Sequence, residues 1–315
     1  MRQQSAAEYL RHGQMPFFRL PIGDLGSAAP YAGAEAVLLG VPYDGAVTYQ
    51  PGARLAPYHL RRTSALLQTF HPVHQVDVFR RLRVLDGGNV AFPPFDAAAV
   101  RERVQSEVAA IVGAGATPFV VGGDHSVALP AMRAVAAAHG PLAVLHVDAH
   151  LDTSGAEVWG ESFHHGAPLR HALTEGLVAR GQLFQVGLRA SWGDPEEGAL
   201  VAAHGAQGYP MPLVAARGIE VVTREIRAAV GERPLYVTFD IDGVDPAFAP
   251  GTGTPVPGGL TSREALQLLQ GMAGARLVGM DLVEVSPALD HADMTCHLGA
   301  WLLYEGLALR ALAPR

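Results

Sequence analysis

The stretch Leu142-Ala143-Val144-Leu145-His146-Val147-Asp148-Ala149-His150-Leu151-Asp152 is a short apolar run that ends in acid, imidazole and acid. It shows no polar alternation, so it reads as a strand buried on both faces. Strands of that kind belong to parallel sheets covered by helices. In such sheets ligands bind beyond the carboxyl ends of the strands, and the polar tail Asp148–Asp152 falls at that place.

The same pattern recurs along the chain. Ala36–Val41, Thr117–Val121, Leu183–Leu188, Leu235–Ile241 and Leu277–Val283 also read as buried strands. Longer amphipathic stretches separate them. Asp96–Gly113 reads as a helix with Asp96 as N-cap, and Thr261–Gly274 as one opened by a Thr261/Glu264 capping box. Alternation of this kind predicts right-handed crossovers and one α/β domain, a three-layer αβα arrangement around a mainly parallel sheet. Residues 1–33, rich in Gly, Pro and Ala and without periodicity, read as an N-terminal arm packed on the body or on a neighbouring subunit; residues 34–315 form the body.

Hydrophobic residues make up 49% of the chain and charged ones 17%, a balance that supports a large core and rules out a disordered chain. The net charge of −7 comes with no Lys/Arg cluster able to track a phosphate backbone, so nucleic acid is not an expected partner. A single cysteine, Cys296, cannot form an internal bridge, and no apolar run reaches membrane-spanning length. Glu8, Arg11 and Arg19 interrupt any signal-peptide apolar region. The expectation is a cytoplasmic protein.

Four strands end in polar chemistry. Thr117–Val121 runs into Gly122-Gly123-Asp124-His125-Ser126, Leu142–Val147 into Asp148–Asp152, Leu235–Phe239 into Asp240-Ile241-Asp242, and Leu277–Val283 into Glu284. Residues i and i+2 of a strand share a face, so Asp148 with His150, and Asp240 with Asp242, converge, and Asp152 joins them if the chain stays extended. Carboxylates gathered at the end of a buried sheet repel one another unless cations neutralise them. His125, Asp148, His150, Asp152, Asp240 and Asp242 are too many donors for one tetrahedral ion, and they suit two ions sharing carboxylates roughly 3.5–4 Å apart. An oxygen-rich set with two imidazoles favours Mn²⁺ over zinc.

Taken singly, each aspartate has a plainer reading as a turn or cap residue, and His146, inside its strand, reads as a satisfied core imidazole. Capping does not account for four strand ends at once. No Gly-x-Ser-x-Gly elbow occurs, and Gly251-Thr252-Gly253-Thr254 lacks dinucleotide-fingerprint spacing; it reads as a loop approaching the active site.

With Gly122–Ser126, Asp148–Asp152 and Asp240-Ile241-Asp242-Gly243-Val244-Asp245-Pro246 in view, the chain resembles the ureohydrolase family, which includes arginase and agmatinase. The stretches Gly160–Pro168 and Phe248–Pro255 resemble the agmatinase branch. The resemblance implies an arginase-like fold and two manganese ions, one on His125, Asp148, Asp152 and Asp240, the other on Asp148, His150, Asp240 and Asp242, with Asp148 and Asp240 bridging. It implies that Glu284 binds the guanidinium and that His165, followed by Gly166, transfers a proton. His164 reads as a solvent-facing loop residue. Leu151, Gly243-Val244 and Ala56 depart from the family's commoner residues, and none of them is a ligand.

The chemistry implied is attack on a guanidinium by a hydroxide bridging the two ions, with Asp152 taking the remaining proton. Agmatine would yield putrescine and urea. The alternatives are a guanidinobutyrase or other amidino hydrolase with a carboxylate-tailed substrate, and a non-catalytic metal-binding protein. A basic residue around Trp159–His165 or Trp192–Glu197 would favour the acidic tail; Glu161, Asp194, Glu196 and Glu197 lean towards a cationic one, although their plainer reading is as solvated loop charges. The resemblance also implies a homotrimer or homohexamer.

Overall fold

The computed structural model describes residues 15–23 and 26–313. An eight-stranded sheet runs in the order β4-β1-β5-β10-β9-β6-β7-β8, where β1 is Ala36–Gly40, β4 Val84–Asn89, β5 Thr117–Val121, β6 Leu142–Val147, β7 Val178–Val186, β8 Gln207–Tyr209, β9 Pro234–Asp240 and β10 Arg276–Val283. Every pairing in it is parallel. A small antiparallel hairpin, β2 (Phe70–His71) and β3 (Val76–Asp77), stands apart.

Strand alternation sorts the core into two layers. Ala143, Leu145, Val147, Val237 and Phe239 pack against the helices Ile219–Val230, Ser262–Gln270 and Met294–Leu312. Leu142, Val144, Tyr236 and Val278 pack against the helices Ala97–Gly113 and Ala128–His139. This is the expected three-layer αβα architecture. Asp96 caps its helix through Ala99 N–H, and Thr261 and Glu264 form the reciprocal box, so both predicted helix starts hold; the second helix ends at Gln270, short of Gly274.

The order of strands positions the site. β5, β10, β9 and β6 are consecutive at the middle of the sheet, so the four polar strand ends stand side by side. The chain passes from β5 over two neighbours to β6, which opens the crevice where open sheets bind ligands.

Several local expectations are corrected. β4 and β8 were absent from the sequence reading, because Val84-Leu85-Asp86-Gly87-Gly88-Asn89 mixes acid and glycine into its run and Gln207–Tyr209 is only one short pairing. β7 begins at Val178 rather than Leu183, with a register irregularity opposite Leu142 and Val144 that breaks the apolar pattern. Regular structure starts before Ala34: Phe17–Arg19 form a 3-10 turn whose phenylalanines are buried in the core, and Ile22 bridges to Asp86. These described arm residues lie along the edge strand β4, which would otherwise offer unpaired backbone groups.

Candidate metal centre

Two carboxylate-imidazole nodes meet at the ends of β5, β6 and β9. In the first, His125 Nδ1 lies 2.7 Å from Asp152 Oδ2, 3.2 Å from Asp148 Oδ2 and 3.4 Å from Asp240 Oδ2. In the second, His150 Nδ1 lies 3.2 Å from Asp148 Oδ1 and 3.1 Å from Asp242 Oδ2. The two oxygens of Asp148 therefore face different nodes, the geometry a bridging ligand needs. Asp240 turns only Oδ2 towards His125; its Oδ1 accepts from Asp242 N–H at 2.8 Å.

The chain reaches these positions by turning, not by staying extended. Asp240 caps a 3-10 turn, Ile241–Gly243, which carries Asp242 back over the strand end. A Cβ on Gly243 would lie 2.8 Å from Asp148 N, so glycine at this position lets the turn approach the first node. Asp152 has φ of 54° and Glu284 φ of 60°, left-handed conformations that non-glycine residues rarely adopt. Such strain is concentrated at functional sites, and it falls here on two predicted site residues.

The proton on His125 can be assigned. Thr238 Oγ1 donates to Asp281 Oδ1 at 2.6 Å, and Tyr236 O–H donates to Asp281 Oδ2 at 2.7 Å. Thr238 has one hydroxyl proton and spends it there, so at 2.8 Å from His125 Nε2 it accepts, and Nε2 carries the hydrogen. Nδ1, a buried atom without a hydrogen-bond partner, faces three carboxylate oxygens; burial opposes the charged ring, but these carboxylates push it well above the usual imidazole range, and a cation at Nδ1 would take the place of that proton. This is a cation ligand in waiting. Burial, then the charges of Asp242 and Asp148, push Asp240 well above the usual carboxylate range, and burial with Asp148 pushes Asp242 up. Full ionisation of the cluster needs positive charge, so the residues fit divalent ions.

Thr238 and Asp281 face each other in register across β9 and β10. Their signal in the sequence was a polar side chain inside an apolar strand. Replacing Thr238 by Val removes the acceptor and leaves the His125 tautomer unspecified; metal affinity is expected to fall roughly 10–100-fold, with Ser restoring it. Competition against a chelator of known affinity checks this, and unchanged affinity in T238V would remove the relay from the account.

His146 is a core imidazole, as expected, and it supports the centre. Gln185 Nε2 donates to its Nδ1 at 3.1 Å and to Leu151 O at 3.0 Å, so Nε2–H donates to Asp148 Oδ2 at 2.8 Å. A ring so protonated orients Asp148 rather than ligating. His165 is held at both nitrogens, Nδ1 2.9 Å from Glu284 Oε1 and Nε2 2.8 Å from Thr48 Oγ1. Burial would lower its pKa, but the hydrogen bond and charge of Glu284 push it up to about 9. Glu284 Oε1 also accepts from His125 N–H at 2.9 Å, tying the two halves of the site together. His164 is buried and accepts from Gly166 N–H at 3.1 Å, so it is not the solvent-facing residue the sequence suggested.

Above the nodes opens a cavity of about 320 Å³, lined by His150, Asp152, His165, Asp240, Asp242, Thr48, Trp159, Ser191, Glu197 and Thr254 among others, with no Lys or Arg. Thr254 brings the Gly251–Thr254 loop to the site and donates to Asp242 Oδ2 at 3.3 Å. Glu197, read from sequence as a loop charge, is buried: its Oε1 closes the capping box of the helix Pro195–Ala203 and accepts from Ser154 Oγ at 3.1 Å. Thr48 and Gln185 carried no sequence signal, since their roles arise only from folding.

Fold and cluster together define an α/β protein with a carboxylate-rich cluster able to hold metal at the centre of its sheet. The arginase family model matches residues 34–308, and the chain belongs to that family. A guanidinopropionase of Pseudomonas aeruginosa is 39% identical, with 97% of this chain and 95% of that protein aligned. An agmatinase of Cronobacter sakazakii is also 39% identical, over 94% and 92% of the two chains. The solved structure of proclavaminate amidino hydrolase from Streptomyces clavuligerus superposes with a TM-score of 0.89 at 39% identity, covering 96% of this chain and 98% of that one.

Proposed function

We propose that residues 34–315 form the catalytic domain of a two-manganese enzyme hydrolysing agmatine to putrescine and urea. His125, Asp148, Asp152 and Asp240 would hold one ion, and Asp148, His150, Asp240 and Asp242 the other. When bound, the pair supplies Lewis-acid charge and acidifies a water. The chain does the rest. Glu284, with Oε1 engaged by His125 and His165, offers Oε2 to the guanidinium and orients its carbon by charge-assisted hydrogen bonding. Asp152 accepts a proton from the attacking water, and His165, positioned by Thr48, delivers one to the leaving amine.

The observation that supports agmatine is the lining of the cavity, where Glu197 is the acidic group outside the two nodes and no Lys or Arg is present. A protonated amine is the tail such a lining accommodates. A guanidino acid is the second reading, favoured by Arg101, which stacks 4.3 Å over Phe163 in the groove that shares Thr48 and Trp159 with the cavity. Manganese-loaded protein given agmatine, arginine, guanidinobutyrate and guanidinopropionate in separate assays should release urea fastest from agmatine. Preference for either guanidino acid overturns the tail assignment, and no urea from any substrate returns the protein to the non-catalytic reading. A cytoplasmic trimer or hexamer fits this reading; among the described residues no helix is long and apolar enough to cross a membrane.

A further inference from the structure

Far along the chain from both nodes, His71 at the end of β2 and His74 in the turn of the β2–β3 hairpin face Glu305 on the helix Met294–Leu312. His71 Nε2 lies 3.0 Å and His74 Nε2 3.4 Å from the same oxygen, Glu305 Oε2. His71 and Glu305 are buried, at 1% and 2% side-chain exposure, and His74 is nearly so at 9%. Yet none of these three atoms has a hydrogen-bond partner, because neither ring N–H direction points at the carboxylate. Three buried polar atoms converge on one point and leave it unclaimed.

We infer that His71, His74 and Glu305 form a second metal site, of the zinc type, that clamps the hairpin to the C-terminal helix. Zinc bonds of about 2.0–2.2 Å to nitrogen and oxygen in a tetrahedron set neighbouring ligand atoms roughly 3.3 Å apart, and the two measured separations bracket that value. The three atoms also lie within 4.8 Å of one another. Supporting contacts hold the ligands: Gln270 Nε2 donates to Glu305 Oε1 at 2.7 Å, leaving Oε2 for the ion, and the His71 ring stacks on Tyr304 at 5.2 Å. His74, the most exposed of the three, marks the side from which water would complete the tetrahedron.

Charge follows the same logic. Burial pushes both imidazoles down and Glu305 up, so without a cation the triad tends to neutrality, and a divalent ion favours the neutral imidazoles and ionised carboxylate that ligation requires. Coordination through Nε2 places the His71 proton on Nδ1. It therefore gives up the long 3.3 Å contact from His74 N–H, a weak bond set against two metal–nitrogen bonds.

The test is metal uptake by the full-length protein. Chelator-stripped wild type, H74A and E305Q are loaded with excess Mn²⁺, then equilibrated with Zn²⁺ or Co²⁺, desalted and analysed for all metals. Wild type is expected to hold about one more equivalent of metal than either variant, with the visible absorption of tetrahedral Co²⁺ present only in wild type. Zinc should also raise the thermal midpoint of wild type more than that of the variants. H74Q, at the exposed rim, serves if either variant fails to fold. Equal metal content in wild type and variants overturns the site, as does a wild-type Co²⁺ spectrum that survives in E305Q.

Discussion

Glu284→Gln is expected to keep both catalytic metals and to lose turnover by roughly 10²–10³-fold, the scale seen when one preorganised electrostatic contact to the reacting group is removed. Glu284 sits beside the nodes, buried, with Oε1 shared between His125 N–H and His165 Nδ1. Glutamine can still accept both bonds through its carbonyl oxygen, so the local fold is preserved. What changes is the second position, where an amide N–H₂ now meets the donors of a guanidinium and repels them. The pH profile should shift too. His165 owes its raised pKa of about 9 to Glu284, with burial opposing, so loss of the carboxylate lowers the pKa and the protonated form disappears at lower pH than in wild type. Steady-state urea release across pH, with metal content determined on the same samples, checks both parts. A variant with full metal and near-normal turnover would take Glu284 out of substrate binding.

The centre of the fold could be read in the chain because the four strands that end in acid or imidazole are buried along nearly their whole length. Thr117–Val121, Leu142–Val147, Leu235–Phe239 and Leu277–Val283 are mainly apolar, the last three interrupted only by His146, Thr238 and Asp281, and their polar ends stand out from the strand interior. Their adjacency in the sheet was not contained in any one of them; it follows from crossovers that local patterns do not encode. Edge elements were hidden for the opposite reason. Asp86 in β4 breaks the apolar run, but it is buried and accepts from Phe17 N–H at 2.9 Å and from the Arg61 guanidinium at 2.8 and 2.9 Å. An acid satisfied from two distant segments looks, in the sequence, like a loop residue. Glu197 misled in the same way, since its capping bonds and burial depend on the helix it closes. The supporting residues Thr238, Asp281, Gln185 and Thr48 act through partners between 34 and 117 positions away, a distance at which periodicity carries no information.

Turns, rather than the i, i+2 spacing of extended strands, bring the acids of the two nodes together. Asp148 and His150 lie just past the end of β6 in a bend, closed by His150 N–H donating to Asp148 Oδ1 at 2.6 Å. Asp242 and Asp152 arrive instead through a 3-10 turn and a left-handed residue. Both devices shorten the path of the backbone and crowd acids together more closely than extended strands would. That crowding costs stability in the absence of cations, and it connects the metal sites to the stability of the fold.

Asp148→Asn tests that connection. Asp148 Oδ1 faces His150 and Oδ2 faces His125 and His146, so one residue serves both nodes. Asparagine keeps the shape, but in either orientation its N–H₂ group points at a position where a carboxylate oxygen faced an ion. Metal content is expected to fall from about two equivalents to well below one, whereas His150→Ala, which touches only the second node, should retain about one. Thermal midpoints give the sharper reading. With metal present, the variant should melt well below wild type, because wild type alone gains the binding energy. With metal stripped from both, the gap should narrow without reversing: the substitution removes a charge that pushes Asp240 and Asp242 up, but also a carboxylate that His146, His125 and His150 hold well below its usual range against burial. Elemental analysis and paired melting curves decide it. A metal-free Asp148→Asn protein that melts far below metal-free wild type would mean that Asp148 holds the strand ends together by its own hydrogen bonds, and the cluster would then be a structural network before it is a metal site.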